Sequence, residues 1–397
     1  MDFALTEDQI ELQRWAHEFA EREIRPVAGH YDETEEFPWE VLRKAAEVGL
    51  YSLDLYFQAQ QDPTGLTLPL VMEEISWGCA GIGLALFGTG LPLMALSTLG
   101  TPEQLLTWAP KMMGRPEDPQ VAAFGVTEPH AGSDVSSLRT RAVRDGDHWV
   151  LDGRKVFITN GGIADVHLIV ATVDPELGHR GQASFIVTSD MPGFSQGKKE
   201  RKLGIRASHT AEVLLDNVRV PLDHILGGPE AFEEKLERAR SGQRTGRASP
   251  ALRAFEMTRP LVAIQAVGVA RAAFELATQY AKERVQFGRP IIEHESIGNL
   301  LADMAVEIDA ARLLTYRAAW MAATHAPYAR AEGSMSKLKA SEVAVRVTEK
   351  AIQVLGGYGY VKDFPVEKWS RDAKIYTLFE GTSEVQRMVI ARALAAE

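Results

Sequence analysis

The residues best placed to do chemistry lie near the end of the chain, in RDAKIYTLFEGTSEVQR, Arg371–Arg387. Glu380 follows an apolar run there, and Gly381-Thr382-Ser383 can open a helix capped by Thr382 or Ser383. A carboxylate at such a junction, beside aromatic residues, can be held partly out of water. Desolvation raises its pKa, which makes it a usable general base near neutrality. Taken alone, the plainer reading of Glu380 is a helix-capping acid on the surface. Two further segments suit a ligand. GVTEPHAGSD, Gly125–Asp134, runs a strand into a turn of hydroxyls, small residues and one proline. Backbone N–H groups and hydroxyls exposed in this way fit an anionic or heteroaromatic ligand. KVFITNGG, Lys155–Gly162, is an apolar strand that ends in Thr and Asn.

Other chemistries lack their residues. The sequence has no HExxH, no Cys/His ligand spacing and no P-loop. FGTGLPLMALSTLG holds Gly88 and Gly90 but follows no predicted strand, so a dinucleotide fingerprint is not expected. GGYGY, Gly356–Tyr360, sits at a helix end, where glycines suggest a C-cap. Cys79 is the only cysteine, which excludes an intrachain disulfide and points to a reducing compartment. Its neighbourhood, SWGCAGIG, is small and apolar. A buried packing thiol is expected, with nothing nearby to stabilise a thiolate.

These segments must be positioned by elements of two kinds. From Thr6 to Ala28 apolar residues recur at helical spacing, with Thr6 as N-cap. Helical pattern follows at Trp39–Gly49, Pro69–Trp77 and Pro102–Met113, the two prolines suiting a first helical position. From about Gln120 the period changes. VAAFGVTE, HWVLDGRKVFITN, VHLIVATV, ASFIVTS and AEVLLDNVRV are β-branched runs at short spacing, which predicts an antiparallel sheet or barrel with a hairpin at Asp145-Gly146. Helix returns after Pro221, with long patterns at Pro260–Arg284, Ile297–His325 and Ala331–Leu355. Between them, Pro229–Arg240 reads as a short charged helix and SGQRTGRASP as an exposed linker. The predicted division is 1–119 helical, 120–226 β, 227–250 charged insertion and 251–397 helical.

The 397 residues are too many for one ordinary core, and 45% apolar content excludes a disordered chain. Against 54 acidic residues stand 43 Lys and Arg, for a net charge of −11. That field disfavours nucleic acid and anionic membranes as bulk partners. The N-terminus has neither the basic start of a signal peptide nor the Arg-rich character of a transit peptide. The apolar stretches are broken well short of a membrane span, so a cytoplasmic protein is expected.

Taken together, the segments resemble the acyl-CoA dehydrogenase family, with the closest likeness to its short- and medium-chain members. The likeness runs over nearly the whole chain: FALTEDQ, TEPHAGSD, FITNGG, FEMTRP at Phe255–Pro260, KERVQFGRPI, QVLGGYGY, PVEKWSRDAKI and FEGTSEVQR, in family order. The resemblance implies an α+β fold of an N-terminal helical domain, a central β-barrel-like domain and a C-terminal four-helix bundle, with FAD as cofactor. It implies that Phe124, Val126, Thr127, Gly132 and Ser133 contact the flavin end and that Phe157, Ile158 and Thr159 cover the isoalloxazine. Arg284, Gln286 and Phe287, with Gln353, Gly356 and Gly357, resemble the segments that reach the FAD of a neighbouring subunit, which implies a homotetramer built as a dimer of dimers. Thr382 and Glu384 are expected near the cofactor. Ser133, Glu256, Arg259 and Gly381 are expected at the substrate, Glu256 reading equally as an ordinary helix acid.

The implied reaction is α,β-dehydrogenation of an acyl-CoA to the trans-2-enoyl-CoA, a step of fatty acid β-oxidation. Glu380 takes the α-proton while a hydride leaves the β-carbon for flavin N5. The electrons then pass to an electron-transfer flavoprotein. Some members carry the base on the helix of the FEMTRP-like segment. Here that position is Thr258, which cannot be a base, so Glu380 is the single candidate. Phe157 stands where the family usually has Trp, His130 where Gly is frequent, and Glu295 where close relatives have Gln. LYFQAQQDPTGLTL lacks the usual loop after the early helices. An oxygen-using oxidase or monooxygenase on the same fold is the alternative; a DNA-binding branch is disfavoured by the acidic charge.

Overall fold

The computed structural model describes residues 4–241 and 250–396; most of the predicted linker SGQRTGRASP lies outside the described residues. Eight helices open the chain: α1 Glu7–Phe19, α2 Ala28–Thr34, α3 Trp39–Glu47, α4 Leu53–Gln61, α5 Thr67–Gly78, α6 Ala80–Phe87, α7 Gly90–Leu99 and α8 Pro102–Met113. Thr6 caps α1 and Thr101 caps α8, each closing a reciprocal pair of hydrogen bonds with a glutamine three residues on. Pro102 is the first residue of α8 as predicted, but Pro69 is the third of α5, still within the turn whose N–H groups have no helical partner. Where the usual early loop is missing, the chain instead builds α4. Asp62 ends it by accepting from the backbone N–H groups of Thr64, Leu66 and Thr67.

The short pair β1 Gly114–Arg115 and β2 Asp118–Pro119 leads into a seven-stranded sheet. Its strands are β3 Ala122–Gly125, β4 Arg141–Asp145, β5 His148–Thr159, β6 Val166–Thr172, β7 Gln182–Thr188, β8 Phe194–Lys199 and β9 Thr210–Pro221. The order is β3-β6-β4-β5-β9-β8, with β7 on β6. An all-antiparallel sheet was expected, yet β3 pairs with β6 in parallel, as β4 does at Arg141↔Thr172. Residues 126–159, a loop and the β4–β5 hairpin, give the chain enough length to cross over between β3 and β6. Strand β8, FSQGKK, is polar and mostly exposed, which is why its sequence carries no strand signal.

The rest is α9 Pro229–Arg240, α10 Pro250–Glu283, the hairpin β10 Val285–Gln286 and β11 Arg289–Pro290, α11 Glu295–Ala323, α12 Glu332–Leu355, α13 Val366–Ala373 and α14 Ser383–Leu394. Pro260 does not start α10 as predicted; it lies inside a helix already running from Pro250. Helices α10, α11 and α12 pack together, α14 lies on α12, and α5 packs on α10. At that last crossing a Cβ on Gly268 would sit 2.3 Å from the Glu73 carbonyl oxygen. The same seam buries charge: Arg271 donates to Glu73 and Glu74, and Arg312 to Glu73. Two segments, Ala80–Leu99 and Glu256–Glu283, are long and apolar enough to cross a bilayer, contrary to the sequence expectation; half or more of each is buried against protein.

Candidate active site

On the β side, the chain leaves β3 through Val126 and Thr127, and the turn beyond is fixed by Glu128. Its buried carboxylate accepts from the N–H groups of Arg139 (2.6 Å) and Thr140 (2.9 Å) and from Lys155 Nζ (2.7 Å). Lys155 Nζ also donates to the Val126 carbonyl at 2.9 Å, and the Val156 N–H donates to the Thr127 carbonyl at 2.9 Å. Burial pushes the Glu128 carboxyl up, but hydrogen bonds from Lys155, Thr140 and Arg139 outweigh it and hold the group below its ordinary value. Burial pushes the Lys155 ammonium down to about 8 against the pull of Glu128. Gly132 and Ser133 are exposed on the turn so anchored. His130 is partly exposed and contacts the Ser137 carbonyl.

The same lysine sits at a bulge. Pairing of β5 with β9 shifts between Lys155 and Ile158, and Phe157 takes a left-handed φ of 58°. The bulge turns the Phe157 ring outward, 65% exposed, while Ile158 is buried. Beyond it, Thr159 abuts the α6–α7 junction: a Cβ on Gly88 would meet Thr159 Cγ2 at 3.0 Å. Asn160 Nδ2 donates to the Ala122 carbonyl, and the Ala122 N–H to Thr89 Oγ1. The strand end that carries Phe157–Thr159 is thereby keyed to the α6–α7 junction.

On the helical side, Glu380 and Gly381 take consecutive left-handed conformations, φ 53° and 85°. Gln386 Nε2 donates to both their carbonyls, at 3.1 and 2.9 Å, and Lys337 Nζ donates to the Gly381 carbonyl at 2.6 Å. Thr382 then caps α14 by accepting from the Val385 N–H, and Glu384 lies exposed in the first turn. Burial pushes the Glu380 carboxyl above its ordinary value, and Lys337 and Arg259 pull it back. Glu380 is therefore not the surface cap of the plainer reading. Arg259 is buried on α10 and donates to Glu256 and, at 2.6 Å, to Ser334 Oγ. Glu256 also accepts from the Ser334 N–H and hydroxyl, so its carboxylate is committed within the helix pair. The β domain reaches this region as well. The Ile205 N–H donates to Asp372 at 2.5 Å, and Arg371 to the Leu203 carbonyl, on α13 just ahead of Glu380.

A third group stands apart. Arg284, Gln286, Phe287, Gly356 and Gly357 line one open cavity of about 850 Å³ with Tyr280, His294 and Tyr358. Phe287, left-handed at φ 52°, is 96% exposed. A Cβ on Gly356 or Gly357 would meet nothing within 4 Å, so a ligand can approach that backbone. Gln353, expected here, is exposed at the same helix end but outside the lining. The volume suits part of a cofactor. The bulged aromatic, the anchored hydroxyl turn and this glycine-floored cavity together fit the residues implied for FAD.

One expectation is corrected. Cys79 does have a cation beside it: Lys368 Nζ lies 3.2 Å from its sulfur, held by Asp372 at 2.5 Å. The lysine comes from the far end of the chain, so the apolar neighbourhood of Cys79 gave no sign of it. Lys337, Gln386, Ser334 and the Glu128–Lys155 pair were also missed. Lys337 carried a signal: it shares with Ser334, Ser341, Ala344 and Thr348 the buried face of α12, where a lysine among small residues is out of place.

A half-buried carboxyl of raised pKa on a clamped turn, with separate segments fit for a cofactor, is a site for acid–base chemistry, and comparison with known proteins specifies the class. The acyl-CoA dehydrogenase N-terminal, middle and C-terminal domain profiles match residues 6–115, 123–218 and 248–395. The chain belongs to the acyl-CoA dehydrogenase family, whose members are FAD flavoproteins. It is 39% identical to a short-chain specific acyl-CoA dehydrogenase of Clostridium acetobutylicum, over 98% of this chain and 99% of that one. The butyryl-CoA dehydrogenase structure from Megasphaera elsdenii superposes with a TM-score of 0.88 at 36% identity, covering both chains fully. A chain solved in work on an electron transferring flavoprotein of Acidaminococcus fermentans and flavin-based electron bifurcation superposes with a TM-score of 0.86 at 36% identity, again over all of both chains.

Proposed function

We propose that the protein converts an acyl-CoA thioester to its trans-2-enoyl-CoA, with Glu380 as the base that removes the α-proton. The observation that carries this reading is the state of Glu380: a desolvated carboxyl of raised pKa, presented on a clamped left-handed turn with two cations behind it. Desolvation strengthens the carboxylate as a base, and the cations keep it ionised near neutrality. FAD, when bound, supplies the acceptor for the β-hydride. Phe157, Ile158, Thr159 and the Thr127–Ser133 turn would hold its flavin end. Arg284, Gln286, Phe287 and Gly356–Gly357 would hold part of the FAD of a neighbouring subunit, with Gln353 at the margin. The left-handed Glu380 N–H makes no hydrogen bond among the described residues and would be available to the thioester carbonyl, where enolate charge develops. Arg259 orders the site by fixing Glu256 and Ser334 beneath it. An electron-transfer flavoprotein is the proposed acceptor, fatty acid β-oxidation the setting, a homotetramer the assembly and the cytoplasm the location.

The test is anaerobic bleaching of the yellow holoenzyme by a panel of straight, branched and cyclic acyl-CoAs. One or more should reduce the flavin, and Glu380→Gln should bind FAD and ligand yet lose reduction by a factor of about 1,000 or more. Reduction by Glu380→Gln at the wild-type rate would remove Glu380 as the base.

A further inference from the structure

Lys337 is fully buried on α12, and among the described residues its ammonium contacts the Gly381 carbonyl with no carboxylate within ion-pair distance. An ammonium taken out of water without a paired carboxylate is costly, by several kcal/mol in ordinary cases. What faces Lys337 is the base segment. Its Nζ donates to the Gly381 carbonyl at 2.6 Å, and the charges that act on it are those of Glu380, Arg259 and Glu384. On its own helix the neighbours are neutral: Ser334 and Ser341 lie on the same buried face, and Ser341 Oγ donates to the Lys337 carbonyl. From α10 come Arg259 and Glu256, already bound to each other.

That pairing separates the two cations behind Glu380. Arg259 has its charge opposed by Glu256 in direct contact. Lys337 has no carboxylate in direct contact, and Glu380 is the first of the charges that raise its pKa. Lys337 is also the larger of the two influences that pull the Glu380 carboxyl back toward ionisation. Its own ammonium is pushed down to about 8 by burial, and so is still charged at neutral pH.

We propose that Lys337 is a positioning residue for the base: its ammonium clamps the Glu380–Gly381 turn through the Gly381 carbonyl, and its charge keeps the Glu380 carboxyl ionised. The inference rests on the reading of Glu380 as the base. A merely structural lysine would hold the turn without setting the titration of the carboxylate, and the two roles come apart on substitution. Lys337→Gln keeps a donor for the carbonyl and removes the charge; Lys337→Met removes both; Lys337→Arg keeps the charge.

The Glu380 carboxyl can be titrated in the holoenzyme by difference infrared spectroscopy, its band assigned by its absence in Glu380→Gln, with no turnover required. Both Lys337→Gln and Lys337→Met should raise the apparent Glu380 pKa by about one unit or more. Lys337→Arg should leave it closer to the wild-type value than either. The acid limb of flavin reduction by butyryl-CoA should move up with the titration. If Lys337→Met does not fold, Lys337→Gln carries the measurement. An inactive Glu380→Gln together with an unmoved carboxyl in Lys337→Gln would overturn the role of Lys337 and leave the base standing. Full-rate reduction by Glu380→Gln would overturn both.

Discussion

A glutamate in left-handed backbone is a costly choice, on the order of 1–2 kcal/mol against an ordinary helical conformation. Glu380 accepts it because the following Gly381 turns the same way and both carbonyls are drawn inward by Gln386. A Cβ on Gly381 would lie 2.6 Å from Gln386 Nε2, besides straining a φ of 85°. Gly381→Ala should therefore release the clamp and slow flavin reduction by a factor of about 10 or more while FAD content, read from the visible spectrum, stays at the wild-type level. The raised Glu380 pKa sets a second expectation. The reduction rate should fall as pH falls through that pKa, at a higher pH than an exposed glutamate would give, and stopped-flow reduction across acid buffers reads the limb directly. At this scale the sequence was legible where motifs carry chemistry: the segments singled out around Glu380, Arg259 and Gly125–Asp134 are ones whose backbone or side chains the structure fixes by hydrogen bonds. Lys337 and Gln386 were not, because each acts through a backbone carbonyl 44 or 5 residues away, and backbone geometry leaves no motif.

Among elements, the β3–β5 corner depends most on one interaction. Lys155 and Glu128 bind two stretches of chain 27 residues apart and hold the turn that carries Thr127 and Ser133. Breaking a buried pair by removing one partner typically costs about 3–5 kcal/mol. Lys155→Met should fall toward the low end, since Glu128 keeps the N–H groups of Arg139 and Thr140. Glu128 is depressed in the folded state, so its contribution is present above its unfolded pKa and is lost as pH falls through the folded value. Removing Lys155 should shrink that contribution, so the variant should lose stability at a higher pH than the wild type. Urea unfolding at neutral and at mildly acid pH measures both effects. The strands of this domain were largely readable, since β5, β6, β7 and β9 are apolar β-branched runs. Their pairing was not. Short spacing suggests hairpins, whereas the parallel β3–β6 contact depends on where the intervening loop and hairpin are laid. Pro260 misled for a related reason: a proline reads as a helix start, yet the packing of α10 against α12 and α5 carries the helix through it.

Taken as a whole, the molecule exposes apolar side chains on α11 and on the β10–β11 hairpin. On α11, Val306, Leu313 and Trp320 recur every seventh residue and so form one stripe, with Val306 69% exposed. Phe287 projects from the β10–β11 hairpin above the cavity that holds Arg284 and Gly356–Gly357. Isolated exposed apolar residues are ordinary; a stripe along a 29-residue helix is the pattern the proposed homotetramer would use as a contact surface. In the proposed homotetramer a second copy would cover it, because closed symmetric assembly buries the same patch on every subunit. The cavity and the stripe then belong to one argument: the segments expected to reach a neighbour's FAD are useful only if a neighbour is there. Val306→Glu combined with Leu313→Glu should place like charges face to face across that contact and shift the protein toward smaller species in light scattering coupled to size-exclusion chromatography. If those segments do complete the cofactor site, the dissociated variant should also lose FAD on dilution faster than the wild type, although neither substitution touches a proposed FAD residue. Smaller species that keep FAD as tightly as the wild type would separate the two, leaving α11 as an interface and the Arg284 cavity without a part in holding the cofactor.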